Sequence, residues 1–250
     1  MRWLIAFLFV AGPVMAEEVV LGLSRDKVAI TATFDGSEIL VFGAVKREEK
    51  IPEEPLDVIV AIAGPSKPVV VRRKERRFGI WVNTDAVEVD RAPSFYAIAT
   101  TGPLDRVLSN VEDLRHSISI PRAIRAVGTA SDTVDPQAFT EAIIRIRKAN
   151  GAYSLQEGAV SLDEQTLFRT SIAMPANLTE GAYTTRIFLT RGGEVVSTYE
   201  TAIGVQKVGL ERWIFNLSRE QPLIYGLMSL AIAIAAGWGA SAAFRAIRDR

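Results

Sequence analysis

The sequence of 250 residues contains no cysteine and only one histidine, His116. Without cysteine the chain forms no disulfide and offers neither a thiol nucleophile nor a thiolate ligand. Methionine is also scarce, and Met174 is the only one outside the two apolar ends of the chain. Because soft and imidazole ligands do not cluster, the sequence predicts no metal site and no cofactor.

Motifs of nucleophilic catalysis are also missing. There is no G-x-S-x-G sequence, and a Ser-His-Asp triad would have to use His116, which no serine motif accompanies. We interpret His116, close to Asp113, as part of a surface pair at a helix end. These absences favour a protein that is not an enzyme, although a hydrolase with dispersed acidic residues stays an alternative.

The chain has no excess of charge of either sign, since 29 basic residues balance 29 acidic ones. Between the two apolar ends, from Glu17 to Gln221, 25 basic residues face 28 acidic ones, which gives a net charge of about −3. Nonspecific binding of nucleic acid needs a basic excess. The balance therefore argues against a nucleic-acid partner.

Two apolar segments predict export and membrane anchoring. Residues 1–16 combine Arg2, a nine-residue apolar core and a small-residue site ending at Ala16, which is typical of a signal peptide. Residues 222–244 contain no charged residue, and at about 1.5 Å rise per residue they are long enough to cross a bilayer core of ~30 Å. Arginines in the tail 245–250 predict a cytoplasmic C-terminus, so the ectodomain is expected on the opposite, exported side of the membrane.

The ectodomain shows mainly β patterning. Residues 17–102 contain six to eight short strands separated by turn residues, which predicts an antiparallel sandwich of immunoglobulin-like type. Asp35-Gly36 predicts a hairpin between KVAITATF and EILVFGAV. Residues 152–208 carry four more alternating strands. Whether the two β regions form one body or two is left open by the pattern.

Helical patterning separates and follows these β regions. Within the helical segment 103–151, apolar spacing predicts one helix over residues 103–115 and another from Pro136 to Ala149. Short pieces between them, a strand SISI and a helix near 121–127, are weaker signals. Residues 209–221 form an amphipathic juxtamembrane segment, suited either to the membrane interface or to packing on the ectodomain.

Two groups of residues are candidate contact sites. The first is a basic run that could bind an anion or an acidic partner, or could be only the exposed tip of a hairpin; its members are Arg72, Arg73, Lys74, Arg76 and Arg77. The second lies in the span, where small residues four apart let another helix approach closely and a tryptophan suits a helix contact; its members are Ala233, Gly237, Trp238, Gly239 and Ala243.

Several stretches together resemble a family of alphaproteobacterial single-pass membrane proteins described as putative transmembrane proteins. The matching pieces include FDGSEILVFGAV, VVRRKERRFGIWVN, LFRTSIAMPANLTEGAYTTRIFLTRGGEVV and PLIYGLMSLAIAIAAGWGASAAFR. The resemblance implies an inner-membrane protein with a periplasmic ectodomain, and it implies no activity.

These observations lead to three alternative functions. The first is a non-enzymatic accessory protein that acts with another inner-membrane protein, or with a second copy of itself, through the span. The second is a periplasmic module that binds or senses an anionic ligand through the basic hairpin. The third is the membrane-tethered hydrolase.

Overall fold

The computed structural model describes residues 18–24, 27–30, 35–47, 52, 54–125 and 136–248. The predicted signal peptide lies outside these residues. The strands are β1 (Glu18–Leu23), β2 (Lys27–Ile30), β3 (Gly36–Lys46), β4 (Asp57–Ala63), β5 (Ser66–Arg77), β6 (Ile80–Pro93), β7 (Tyr96–Thr100), β8 (Tyr153–Gln156), β9 (Ser161–Asp163), β10 (Leu167–Pro175), β11 (Gly181–Arg191) and β12 (Glu194–Lys207). The helices are α1 (Leu104–Val107), α2 (Asn110–His116), α3 (Ile120–Ala123), α4 (Pro136–Ala149), α5 (Leu210–Glu220) and α6 (Pro222–Arg248).

The strands form two sheets and one long hairpin. A four-stranded sheet has the order β1-β3-β10-β9, and a six-stranded sheet has the order β2-β12-β11-β4-β7-β8. Among the described strands, β5 and β6 pair with each other, and Arg91 of β6 also forms an isolated antiparallel bridge with Arg125. The prediction of a mainly β ectodomain is confirmed. The immunoglobulin-like type stays a prediction, and the six-stranded sheet has a parallel pair at each edge, β12 with β2 and β7 with β8.

One hydrophobic core joins the two sheets. Alternating side chains of β3 and β10 face those of β4, β11 and β12, with Ile39, Ile172, Ile62 and Ile187 completely or almost completely buried. Strands from both sequence regions therefore share each sheet and this core. The hairpin predicted at Asp35-Gly36 is wrong, because the two described strands that flank it do not pair with each other. Strand β2 pairs with β12, and β3 pairs with β1 and β10.

A second core lies on the other face of the six-stranded sheet. Ile59, Tyr96 and Phe188 of the sheet pack there with residues from the helices and from the base of the β5–β6 hairpin. Alternation along β4 explains both cores, since neighbouring residues such as Ile59 and Val60 point to opposite faces and both are buried.

The helix predicted from Pro136 to Ala149 is confirmed as α4, with proline in its first turn and Gly151 after its end at φ +69°. The single helix predicted over residues 103–115 is wrong, because it breaks into α1 and α2. Leu108 is extended, and the backbone N–H of Ser109 donates to the carbonyl oxygen of Gly193 at 2.8 Å. The Ser109 side chain then accepts from the N–H of Glu112 and caps α2.

The chain leaves the ectodomain through β12, α5 and α6. The helix α6 is 27 residues long, or about 40 Å at 1.5 Å per residue. Residues Pro222–Ala242 are long and apolar enough to cross a membrane, and none of that window is buried against the rest of the chain. This agrees with the predicted span.

Candidate functional site

The basic run lies inside β5 and not at a bend. All five of its side chains are exposed, and the turn that joins β5 to β6 follows them at Phe78-Gly79. Successive side chains of a strand point to opposite faces, so Arg73 and Arg77 lie on one face and Arg72, Lys74 and Arg76 on the other. The run therefore forms a cationic ribbon with charge on both faces.

Some of these charges have partners within the hairpin. Nη1 of Arg73 lies 3.7 Å from Oδ2 of Asp85, and its guanidinium lies 5.1 Å from the ring centroid of Phe139 on α4. Nη2 of Arg77 lies 3.5 Å from Oε2 of Glu75. These exposed ion pairs contribute little to stability. They leave the hairpin with a basic excess at its far end.

The turn beyond the run and the start of β6 carry three large apolar residues that the sequence interpretation did not single out. Phe78, with φ +50°, is fully exposed, Ile80 is 65% exposed and Trp81 is 69% exposed. The sequence signal was the stretch FGIW directly after the charges. A local pattern of this kind does not show whether a strand is covered by the rest of the chain.

The outward face of the four-stranded sheet carries an apolar patch that the sequence interpretation also missed. We name it the outer patch, and it consists of Val20, Leu40, Phe42 and Leu167, each between 43% and 56% exposed. Phe42 pairs with Gly22, where an added Cβ would lie 2.4 Å from its ring, so glycine makes room for the ring. The continuous apolar run ILVFGAV in β3 was the available signal.

The small residues of the span lie on more than one face of α6. At about 100° per residue, Gly239 is about 200° from Gly237, so these two glycines face nearly opposite directions. Nothing in the described part of the chain lies within 4 Å of a Cβ added at either glycine. Trp238 is 72% exposed and lies between them around the helix. Ala233 shares the Gly237 side, and Ala243 lies in the last turns of α6.

His116 belongs to a polar cluster at the end of α2. Its Nε2 lies 3.3 Å from Oε2 of the buried Glu112, whose other oxygen lies 2.5 Å from Nη1 of Arg115. Asp113, which we expected to pair with His116, instead accepts from the backbone N–H groups of Ile118 and Ser119 at 3.1 and 2.7 Å. The carboxylate therefore shapes the turn after α2.

Arg186 of β11 holds this turn onto the sheet. It donates to the carbonyl oxygens of His116 and Ser117 at 2.7 and 3.0 Å and to the hydroxyl of Tyr96 at 3.0 Å. Burial raises the pKa of Tyr96, and the nearby Arg186 partly opposes that rise. Because both Nη1 and Nη2 of Arg186 donate to protein acceptors, the arrangement is typical of a structural joint.

Acidic residues near this region also serve the backbone. The carboxylate of Glu157 accepts from the N–H of Leu104 at 2.7 Å, at the start of α1. Among the described residues no group of three or more histidine, cysteine, aspartate or glutamate side chains could hold a metal ion. The features of the described ectodomain that remain without a structural task are surfaces, namely the hairpin tip and the outer patch.

The comparison with known families agrees with a membrane-anchored chain. Residues 18–246 match the model of a family described as "Putative transmembrane protein (Alph_Pro_TM)". The chain belongs to this family. The match includes both β regions, the helices and the span, so the sequence resemblance is confirmed over nearly the whole length. A search of curated proteins found no match.

Proposed function

We propose that this chain is a non-enzymatic accessory protein that is anchored in the inner membrane and binds another membrane protein through its ectodomain and its span. The predicted signal peptide and the arginines after α6 support a periplasmic ectodomain and a cytoplasmic C-terminus. Membership of a transmembrane family and the length of α6 support the anchor.

The observation that carries this proposal is the outer patch. The outward face of a solvated sheet is normally polar, whereas β1, β3 and β10 bring Val20, Phe42 and Leu167 next to one another there. A contiguous apolar surface of this kind, with Arg169 at its margin, is typical of a protein-binding site.

The span supports the same proposal from within the membrane. In the described part of the chain α6 packs against α5, and its glycines Gly237 and Gly239 are open. Small residues let the backbones of two helices approach closely, which gives van der Waals contact in lipid where the hydrophobic effect is absent. Because the open glycines lie on two faces, α6 has room for a helix on either side.

Crosslinking in native membranes, followed by purification in mild detergent, tests the proposal. The full-length chain should yield one discrete crosslinked complex, and Leu40→Ser with Phe42→Ser should reduce its yield at least about tenfold, a loss of ~1.4 kcal/mol in binding. The yield of the complex should be measured separately for the span variants Gly237→Leu and Gly239→Leu and compared with the wild type, since the two glycines lie on different faces of α6.

The matched control is Val111→Ser, which also removes an apolar side chain from an exposed site, 65% accessible on α2. Its complex should form at the wild-type yield. Recovery of only the free monomer from the wild-type chain would contradict the proposal, as would equal yields from the outer-patch and control variants.

A further inference from the structure

The far end of the β5–β6 hairpin carries apolar residues in the turn and at the start of β6, and basic residues opposite them on β5. We call Phe78, Ile80 and Trp81 the fingertip, and Lys74, Arg76 and Arg77 the basic collar. Trp81 pairs with Arg76 and Ile80 with Arg77, so apolar and basic residues face each other across the last rungs of the ladder, and Lys74 follows opposite Asn83. The fingertip residues are 65% exposed or more.

The hairpin is a continuation of two strands of the six-stranded sheet. The ladder of β4 and β7 ends with the pair Ala63 and Tyr96, and the β5–β6 ladder begins with Ser66 and Pro93 in the same register. Between them, the N–H of Gly64 donates to the carbonyl of Phe95 at 2.8 Å, and the N–H of Ser94 donates to that of Pro65 at 2.9 Å. The hairpin therefore leaves the sheet at the carboxyl end of β4.

That end of the sheet is the one that leads to the membrane helix. Both β4 and β12 run antiparallel to β11, and therefore parallel to each other. Ala63, near the end of β4, pairs with Thr184, while Val205, near the end of β12, pairs with Gly181. After β12 the chain enters α5 and then the span, so the hairpin and the anchor leave the ectodomain from the same end.

Helix α4 supports the first part of the hairpin and stops short of its tip. Nη1 of Arg147 donates to the carbonyl oxygen of Ser94 at the hairpin base, at 3.3 Å. The ring of Phe139, one helical turn from the start of α4, lies under Arg73. From Lys74 to Arg77 the ladder continues for four residues, about 13 Å at 3.3 Å per residue. The side chains of this distal part are mainly exposed.

We propose that the fingertip inserts into the interface of the membrane that α6 crosses, with the basic collar at the level of anionic lipid headgroups. Tryptophan and other apolar side chains favour this depth, and the arginines beside them, with Lys74 two residues further back, favour anionic headgroups. The span holds the ectodomain at the bilayer, so the second contact forms at high effective concentration. A protruding apolar tip flanked by positive charge suits a lipid surface better than it suits a groove-forming protein partner.

This inference rests on the membrane span and does not depend on the partner proposed above. Its test uses the fluorescence of Trp81 in the full-length protein reconstituted into vesicles. Replacing Trp3, Trp213 and Trp238 by phenylalanine leaves Trp81 as the only tryptophan. The vesicles contain phosphatidylethanolamine and phosphatidylglycerol whose acyl chains carry bromine, which quenches tryptophan at the depth of the hydrocarbon.

The matched control carries Trp81→Phe and Val111→Trp in the same background. Position 111 is also exposed, and it lies near the contact of Ser109 with Gly193, at the opposite end of the sheet from the hairpin base. Brominated lipid should quench Trp81 by more than half and leave the tryptophan at position 111 unchanged. Iodide, which stays in the water, should quench the tryptophan at position 111 strongly and Trp81 weakly.

Two further measurements test the basic collar and the insertion of the fingertip separately. Arg76→Glu with Arg77→Glu should reduce the quenching of Trp81 several-fold in anionic vesicles, because each change replaces attraction with repulsion. Equal quenching in pure phosphatidylcholine would overturn the role of the basic collar. Trp81 that stays accessible to iodide and is not quenched by brominated lipid would overturn the insertion, and a crosslink from position 81 to a protein would then assign the tip to a protein partner.

Discussion

Arg186 and Tyr96 connect two strands of the six-stranded sheet to the turn after α2. Nη2 of Arg186 donates to the Tyr96 hydroxyl at 3.0 Å, and that hydroxyl donates to the carbonyl oxygen of Ile118 at 2.7 Å. Arg186 also binds the carbonyls of His116 and Ser117 directly. The helical layer is thereby attached to the sheet by a short chain of hydrogen bonds.

Arg186→Met should lower the free energy of unfolding by about 2–3 kcal/mol. The variant loses charge-assisted hydrogen bonds and leaves carbonyl oxygens of the α2 turn without their donor. Urea unfolding of the full-length protein in detergent measures this loss. Arg169→Met, at an exposed site on β10, is the matched control and should change stability by no more than ~0.5 kcal/mol. Equal effects of the two variants would contradict the structural role of Arg186.

The buried Tyr153 should make the ectodomain less stable at alkaline pH. Its hydroxyl donates to the carbonyl oxygen of Pro93 at 2.7 Å, and burial raises its pKa to about 12 from the ordinary tyrosine value of 10.0. Between these two values the folded state holds a proton that the unfolded state has released. The stabilisation is therefore complete below pH 10 and falls as pH rises, by up to about 1.4 kcal/mol per pH unit.

Urea unfolding between pH 8 and 11.5 measures this dependence, with Tyr153→Phe as the comparison. The variant should lose less stability on going from about pH 10 to 11.5, because one of the raised tyrosines is gone. Tyr96 and Tyr183 have pKa values raised by burial as well, so part of the slope should remain. Parallel pH curves for the two proteins would show that Tyr153 ionises equally in both states.

Truncation in either sheet should affect one common unfolding transition. Ile172→Ala in β10 and Ile62→Ala in β4 each remove a buried side chain from the core between the sheets, so each should cost ~2–5 kcal/mol. Thermal unfolding followed by circular dichroism should show a single transition in both cases. Val111→Ala is the exposed control. Two separate transitions, each sensitive to only one variant, would show that the β regions fold independently.

The sequence predicted elements whose causes are local. The bounds of α4 followed from its proline start and its glycine stop, and α6 from length and missing charge. The break between α1 and α2 depends on Gly193, more than 80 residues further along, which bonds Ser109 across the fold. The pairing of β2 with β12 joins residues even further apart in sequence, so the local turn pair Asp35-Gly36 was misleading.

The candidate surfaces could be predicted only in part, because the exposure of a residue depends on contacts with distant parts of the sequence. The residues of the basic run and of the span can be read from the sequence, and the structure adds their location in the fold. Exposure is a tertiary property, however, and a pattern such as FGIW or ILVFGAV reads the same in a covered strand as in an open one. The fingertip and the outer patch therefore became visible only when the packing around Trp81 and Phe42 was known.

The absence of cysteine makes the predicted topology directly measurable. A cysteine at Val111 should react with a membrane-impermeant maleimide in spheroplasts, because we place the ectodomain in the periplasm. A cysteine appended after Arg250 should react only after the membrane is permeabilised, since arginines at the end of a span favour the cytoplasmic side. The unmodified chain, which has no cysteine, gives the background labelling. Labelling of the C-terminal cysteine in intact spheroplasts, with position 111 labelled only after permeabilisation, would contradict the topology.

The most direct test of the central claim is a photo-crosslinking amino acid placed at Phe42 in the full-length chain in native membranes. The outer patch predicts one discrete adduct, identified by mass spectrometry as the same membrane protein in independent preparations and lost when Leu40→Ser is added. The same probe at Val111 should give no such adduct. If position 42 yields no adduct, or yields the same products as position 111, the outer patch is not a partner-binding surface.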